Sequence, residues 1–252
     1  MNKSIDLNCD MGESFGAWKM GNDAAIMPFV SSANIACGFH AGDPGTISKT
    51  VNLALENNVA IGAHPSYPDL VGFGRRKMDI GPKQIYRIVV YQVSAVKGIC
   101  ESKGAALHHV KPHGALYNAA AAEKHLARAI AEAVRDIDPS LILYGLSGSH
   151  LISEAARVGL RVANEVFADR TYQADGSLTP RSESNALISD SDKALEQVSG
   201  MILDGRVRAI GGDTVALEAD TVCIHGDGPH ALEFAKVIRN GLESLGVAVR
   251  AV

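Results

Sequence analysis

Between Asp6 and Glu13 the chain reads Asp-Leu-Asn-Cys-Asp-Met-Gly-Glu, and its alternation has a chemical meaning. Successive side chains of a strand point to opposite faces, so Asp6, Asn8 and Asp10 share one face while Ile5, Leu7 and Cys9 share the other. The apolar face can pack. The other carries carboxylates that are costly to bury uncompensated, so it is expected to line a solvated or metal-containing site. Later runs repeat the theme at their C-terminal ends. They bring Cys37-Gly38-Phe39-His40-Ala41-Gly42-Asp43, then Ala63-His64-Pro65-Ser66, then His109, Lys111 and His113 on one strand face, then Glu165 and Asp169, and finally His225-Gly226-Asp227-Gly228.

Neutral imidazoles with a carboxylate suit zinc, manganese or a similar divalent ion. Asp10, His40 and His64, from successive strand ends, are therefore the candidate metal ligands. One histidine at a strand end is more often a hydrogen-bonded structural residue, and no His-Glu-x-x-His motif is present, so the conjunction carries the argument. Of nine histidines, only His125 clearly sits on a helix surface. Lys111 precedes Pro112, which removes a backbone donor and fixes the local chain. A lysine aimed into a barrel needs an anionic substrate or a structural partner, Glu165 or Asp10. His113, one strand period on, suits proton transfer near neutral pH. Asp10, Lys111, His113 and Glu165 are thus the catalytic candidates. Asn8, Glu13, Arg170, Arg181 and His225 are the substrate-binding candidates, the two arginines either clamping a carboxylate bidentately or standing as solvated surface charges.

These residues need elements to hold them. Short β-rich runs alternate with longer helical patterns, the signature of βα units and a mainly parallel sheet. Strands are expected over Ser4 to Asp10, Ser32 to Cys37, Val59 to His64, Leu107 to His113, Leu141 to Leu146, Arg161 to Phe167 and Val222 to His225. Helices are expected over Pro44 to Asn57, Pro82 to Lys103, Ala119 to Ile137, His150 to Val158, Asp192 to Leu203 and Pro229 to Leu245. Asp43 is a natural cap for the first helix, with Pro44 at its first position. In the second, Gln92 alone interrupts the apolar spacing of Ile85, Ile88, Val89, Val93 and Val96. Parallel strands of an open sheet, buried on both sides, read as unbroken apolar runs. Here Asp6, Asn8, Asn34, His109, Lys111 and Glu165 lie inside the strands, which favours a barrel with a polar lumen and its reacting groups at the C-terminal strand ends. Residues 169–189 lack an apolar period and read as a long loop, either a lid or simply mobile.

The chain has 252 residues, 46% of them hydrophobic, enough for one α/β barrel domain over residues 1–252. Its 24 basic and 28 acidic side chains give a formal charge of −4, so no basic field points to nucleic acid. Cys9, Cys37, Cys100 and Cys223 form no Cys-x-x-Cys pair and read as reduced core residues of a cytoplasmic protein. No apolar run approaches a membrane span, and secretion is not expected. The glycine clusters at 38–45, 145–148 and 225–228 match neither Gly-x-x-x-x-Gly-Lys-[Ser/Thr] nor Gly-x-Gly-x-x-Gly, so no independent nucleotide site is read. Gly145-Leu146-Ser147-Gly148-Ser149 misses the Gly-x-Ser-x-Gly elbow of serine hydrolases.

Taken together, Asp-Leu-Asn-Cys-Asp-Met-Gly-Glu from Asp6, Ala-Asn-Ile-Ala-Cys-Gly-Phe-His-Ala-Gly-Asp-Pro from Ala33, Gly-Ala-His-Pro-Ser-Tyr-Pro-Asp from Gly62, Val-Lys-Pro-His-Gly-Ala-Leu-Tyr-Asn from Val110, Glu-Val-Phe-Ala-Asp-Arg-Thr-Tyr from Glu165 and Cys-Ile-His-Gly-Asp from Cys223 resemble the LamB/YcsF family over nearly the whole chain. The resemblance implies a seven-stranded β/α barrel similar to the glycoside hydrolase/deacetylase superfamily. It also implies the A component of an ATP-dependent 5-oxoprolinase, which opens 5-oxo-L-proline (pyroglutamate) to L-glutamate together with partner subunits B and C. ATP would then be handled with those partners, in keeping with the missing nucleotide loop. On this reading Lys111 or Arg170 holds the substrate carboxylate and Asp10 or His113 activates water. Two other readings stand beside it: a stand-alone metal-dependent deacetylase or amidohydrolase, and a non-catalytic substrate-binding subunit.

Overall fold

The structure is a computed structural model that describes residues 3–226, 228 and 231–252. Asp227 of the last strand-end motif and Pro229, the expected start of the last helix, lie outside the described residues. In chain order the strands are β1 (Ser4–Met11), β2 (Ser32–Ala36), β3 (Ala60–His64), β4 (His109–Val110), β5 (Ile142–Leu146), β6 (Arg161–Phe167), β7 (Arg206–Arg208), β8 (Thr214–Ala216), β9 (Thr221–Ile224) and β10 (Ala248–Val249). The helices are α1 (Asp23–Ile26), α2 (Pro44–Glu56), α3 (Pro82–Glu101), α4 (Gly114–Ala122), α5 (Lys124–Ile137), α6 (His150–Arg157), α7 (Ser191–Asp204) and α8 (Ala231–Ser244).

Strands β1, β2, β3, β4, β5, β6 and β9 pair in parallel, and β9 returns to β1, closing a seven-stranded barrel among the described residues. The N-terminal end of β1 also pairs with β10, outside the barrel. All seven barrel strands answer to strands expected from the sequence. The fourth is shorter in its ladder because Pro112 cannot donate, yet Lys111 N and His113 N still bond to Ala63 O and Pro65 O and keep the chain beside β3. The expected single helix over Ala119 to Ile137 is two, α4 and α5, broken where Glu123 adopts an extended backbone. The β7–β8 hairpin, β10 and the one-turn α1 carry too few residues for a periodic signal.

Alternation sorts the strand residues as the polar-lumen argument requires. Leu7, Cys9, Ile35, Ala63, Val110, Leu143, Val166 and Val222 point outward into one apolar core shared with α3, α5 and α8. Asp6, Asn8, Asn34, His109, Lys111 and Glu165 are all buried as well, joined inside the barrel by the contacts given below. Gln92 is explained by position: it is buried on α3, its Oε1 accepts from Ser66 N (3.0 Å) and its Nε2 donates to Ser66 O (2.8 Å). It thereby pins the loop that leaves β3 just after His64. Asp43 caps α2 as expected, accepting from Gly45 N and Thr46 N. Among the described residues no helix is long and apolar enough to cross a membrane.

Candidate active site

The lumen is a stack of hydrogen-bonded layers ending at the C-terminal mouth. At the bottom Asp6 accepts from Ser31 Oγ (2.6 Å), Ser32 Oγ (2.7 Å) and Thr221 Oγ1 (2.7 Å). Burial pushes its carboxyl up and these hydroxyls pull it back. Above it, Asn8 Nδ2 donates to Thr221 Oγ1 (2.6 Å) and to Glu165 Oε1 (3.0 Å), and Asn34 Nδ2 donates to Asn8 Oδ1 (2.7 Å) and Asp10 Oδ1 (2.9 Å). His109 Nε2 lies 2.8 Å from Asn34 Oδ1, over a ring space that only Gly62 leaves open: a Cβ there would stand 2.1 Å from Nε2.

Lys111 forms the next layer. Its Nζ meets Asp10 Oδ1 at 2.9 Å, Glu165 Oε1 at 2.8 Å, Asn8 Oδ1 at 3.1 Å and Cys223 Sγ at 3.1 Å. Burial lowers the ammonium's affinity for its proton, but the carboxylate of Asp10, with Glu165, holds it well above the ordinary lysine range. Burial would likewise raise Asp10, yet His64 and Lys111 keep it well below the usual carboxylate range. The pair therefore stays ionised. Asn8, a substrate-binding candidate, and Glu165, a catalytic candidate and an expected partner of Lys111, lie beneath Lys111 and do not line the cleft above it; their placement is that of groups that orient the lysine.

At the mouth, His64 Nε2 lies 3.2 Å from Asp10 Oδ2 and 2.9 Å from His113 Nδ1. His40 stacks on His113 with ring centroids 3.8 Å apart, and Glu13 Oε1 stands 3.5 Å from His40 Nε2 and 3.8 Å from His113 Nδ1. Burial pulls His40, His109 and His113 well below the ordinary histidine range, leaving neutral imidazoles. Glu13, His40, His64 and His113 each place one ligand atom within 4.8 Å of the others, so the acidic and imidazole candidates do converge, with His113 and Glu13 joining His40 and His64 while Asp10, outside this group, divides between His64 and Lys111. A second such group, Asp10, Cys223 and His225, is already served by the Lys111 ammonium, which repels a metal cation.

Above this floor opens a cleft of about 400 Å³ whose lining includes Asp10, His64, Lys111, His113, Arg75 and Arg181. Arg181, exposed on the long loop, donates to His225 Nε2 (2.9 Å), whose Nδ1 donates to Asp169 (2.8 Å). Arg170 also lines this cleft and is not a solvated charge. It is buried and donates to Ala186 O and Thr179 O, tying the 169–189 loop to itself, and burial with Arg181 nearby lowers it to about 10. Residues 73–75 join the site without having been expected there. Arg75 lines the cleft, Phe73 O accepts from His113 Nε2 (2.9 Å), and Phe73 holds that position with φ of +53°, a left-handed conformation that costs a bulky residue on the order of 1–3 kcal/mol. The signal for them in the sequence is Gly72-Phe73-Gly74 beside Arg75, a glycine-flanked turn directly before a cation.

Residues 5–252 match the model of the LamB/YcsF family. A protein of Bordetella parapertussis called the A subunit of 5-oxoprolinase is 64% identical over 100% of both chains. One of Bacillus subtilis with the same name is 57% identical over 98% of this chain and 96% of its own. The crystal structure of a lactam utilization protein from Thermus thermophilus superposes with a TM-score of 0.93 at 49% identity, covering 99% of this chain and 100% of that one.

Proposed function

Because this chain belongs to the LamB/YcsF family, we propose that it is the ring-opening subunit of an ATP-dependent 5-oxoprolinase, converting 5-oxo-L-proline to L-glutamate with partner subunits B and C. The observation that carries the reading is the ionised Asp10–Lys111 pair, 2.9 Å apart, at the floor of a cleft rimmed by Arg75 and Arg181. A cation-rimmed cleft suits an anionic substrate, and a carboxylate beside an ammonium suits addition of water to a carbonyl.

The electrostatics also give ATP a role. A carboxylate held well below the ordinary range is a weak base, so the electrophile must carry the activation. A five-membered lactam is a resonance-stabilised amide, and phosphorylation of its oxygen by the partner subunits supplies that activation. Arg181, oriented by His225, receives the substrate carboxylate. Water adds to the carbon of the O-phosphorylated lactam as Asp10 Oδ2 takes its proton and the C=N electron pair passes to the ring nitrogen, with Lys111 facing the oxygens on that carbon. Asp10 returns its proton to the ring nitrogen, the C–N bond breaks as the new hydroxyl gives up its proton to the departing amine and becomes a carbonyl, and an acyl phosphate is left open to a second water. A divalent ion, if bound at the histidine cluster, would supply Lewis-acid polarisation of oxygen at this mouth.

The test is reconstitution with subunits B and C, following glutamate and phosphate release from 5-oxoproline and ATP. Asp10→Asn is expected to lower glutamate formation by about 10²–10⁴-fold, the range for a lost general base, and Lys111→Met by a comparable factor. Unchanged turnover in both variants would remove the assignment. Turnover by B and C alone would make this chain a binding subunit, and release of acetate from acetylated sugars without ATP would make it a deacetylase.

A further inference from the structure

Four side chains converge at the barrel mouth, Glu13, His40, His64 and His113, each with one ligand atom within 4.8 Å of the others. His64 Nδ1 lies 2.7 Å from Lys111 O and His113 Nε2 lies 2.9 Å from Phe73 O. A carbonyl oxygen only accepts, so both of these nitrogens carry the ring hydrogen. The remaining nitrogens, His64 Nε2 and His113 Nδ1, then face each other at 2.9 Å, with Asp10 Oδ2 3.2 Å from the former. Nitrogens so placed are satisfied by a proton or by a metal cation between them. His40 adds a second signal: it is 1% exposed, and among the described residues neither of its ring nitrogens makes a hydrogen bond. Buried polar atoms without partners are rare. Here they sit beside the carboxylate of Glu13, 3.5 Å from His40 Nε2.

We infer that Glu13, His40, His64 and His113 form a mononuclear divalent-metal site in which Asp10 is a neighbour and not a ligand. Three imidazoles and one carboxylate are a donor set for zinc, manganese, cobalt or ferrous ion and a poor one for magnesium or calcium, which favour oxygen. The far nitrogens of His64 and His113 donate to backbone carbonyls, the arrangement that orients ligating imidazoles and raises their basicity. Asp10 touches the set only through Oδ2, 3.2 Å from His64 Nε2; it falls outside the four-residue group, and Lys111 holds its Oδ1 at 2.9 Å. The left-handed backbone of Phe73 acquires a purpose, because it aims the carbonyl that sets the His113 tautomer. This inference rests on geometry alone and does not depend on the reaction proposed above.

The experiment reads metal content and a spectrum, not turnover. The full-length chain is freed of metal with a chelator, titrated with Co²⁺ and followed by visible absorption and elemental analysis, with circular dichroism to establish folding. Wild type, Asp10→Asn and the surface control His125→Gln are expected to take up about one Co²⁺ per chain with d–d bands of low-symmetry coordination. His40→Gln and His113→Gln are expected to bind at least about 10–100-fold more weakly, the loss already typical of a mere outer-shell change. Folded wild type without these bands overturns the site. So does unchanged binding in both histidine variants. Binding lost in Asp10→Asn and kept in His113→Gln would return the ligands to Asp10, His40 and His64, and overturn this assignment. Because wild type is measured directly, a variant that fails to fold does not rescue the inference.

Discussion

Replacing Lys111 by Met tests whether the lumen is held by charge. Lys111 is 2% exposed, and Asp10 Oδ1 and Glu165 Oε1 lie 2.9 and 2.8 Å from its Nζ. Met preserves most of the stem but removes the ammonium, leaving two carboxylates in a water-poor barrel. Breaking a buried pair in this way costs about 3–5 kcal/mol. At about 2–4 °C per kcal/mol for a chain of this size, the melting temperature should fall by about 6–20 °C, measured by circular dichroism in chelator-containing buffer. The pH dependence sharpens the test. In the native protein Asp10 is held below its unfolded value, so its contribution is present above that value and lost only as pH falls through the folded one; wild-type stability should not gain on acidification through this group. Burial is the largest influence on Asp10 and opposes ionisation. Without the lysine, His64 still lowers the carboxyl, which should rise toward its unfolded value, so the variant should lose less stability than wild type as pH falls below about 5. Adding Glu165→Gln to Lys111→Met should restore part of the loss, with a coupling within the range of about 0.5–3 kcal/mol seen for contacting residues. A variant that melts within about 2 °C of wild type, loses as much stability in acid as wild type does and couples additively with Glu165→Gln would refute the reasoning.

Two further outcomes follow from packing. In Gly62→Ala the new methyl meets the His109 ring at 2.1 Å, so the imidazole must leave Asn34; overpacking of this kind costs about 1–3 kcal/mol, and a melting temperature equal to wild type would contradict the placement of His109 in the lumen. Arg170→Met removes the donors to Ala186 O and Thr179 O that gather the 169–189 loop; hydrogen exchange should accelerate within that segment while the amides of β1 keep wild-type protection, and unchanged exchange in the loop would show that Arg170 does not anchor it.

Much of this architecture is legible in local pattern because the pattern is enforced locally. Polar residues inside otherwise apolar strands, Asn8, Asn34, His109 and Lys111 among them, point to a polar lumen before any coordinates are known, since a pleated strand leaves them only one face to share. Asp43-Pro44 marks the start of α2 for an equally local reason: the carboxylate satisfies the first free amides of the helix it precedes. The hairpin of β7 and β8 escapes because three residues per strand give no period, and the break at Glu123 escapes because alanine-rich sequence on both sides continues the helical signal. Ser31, Ser32 and Thr221, which stabilise Asp6, are small hydroxyl residues whose sequence setting says nothing about a partner far along the chain.

The identity of the side chains at the barrel mouth is thus a property of strand order and alternation, readable one strand at a time. Their partners are not. Which carboxylate Lys111 pairs with, which histidines face one another and whether Arg170 meets substrate or backbone depend on the stagger with which seven strands close, a relation between residues as distant as Asn8 and Thr221. The side chains were on offer in the chain; the closed register of the barrel paired Asp10 with Lys111 and left His40, His64, His113 and Glu13 facing each other.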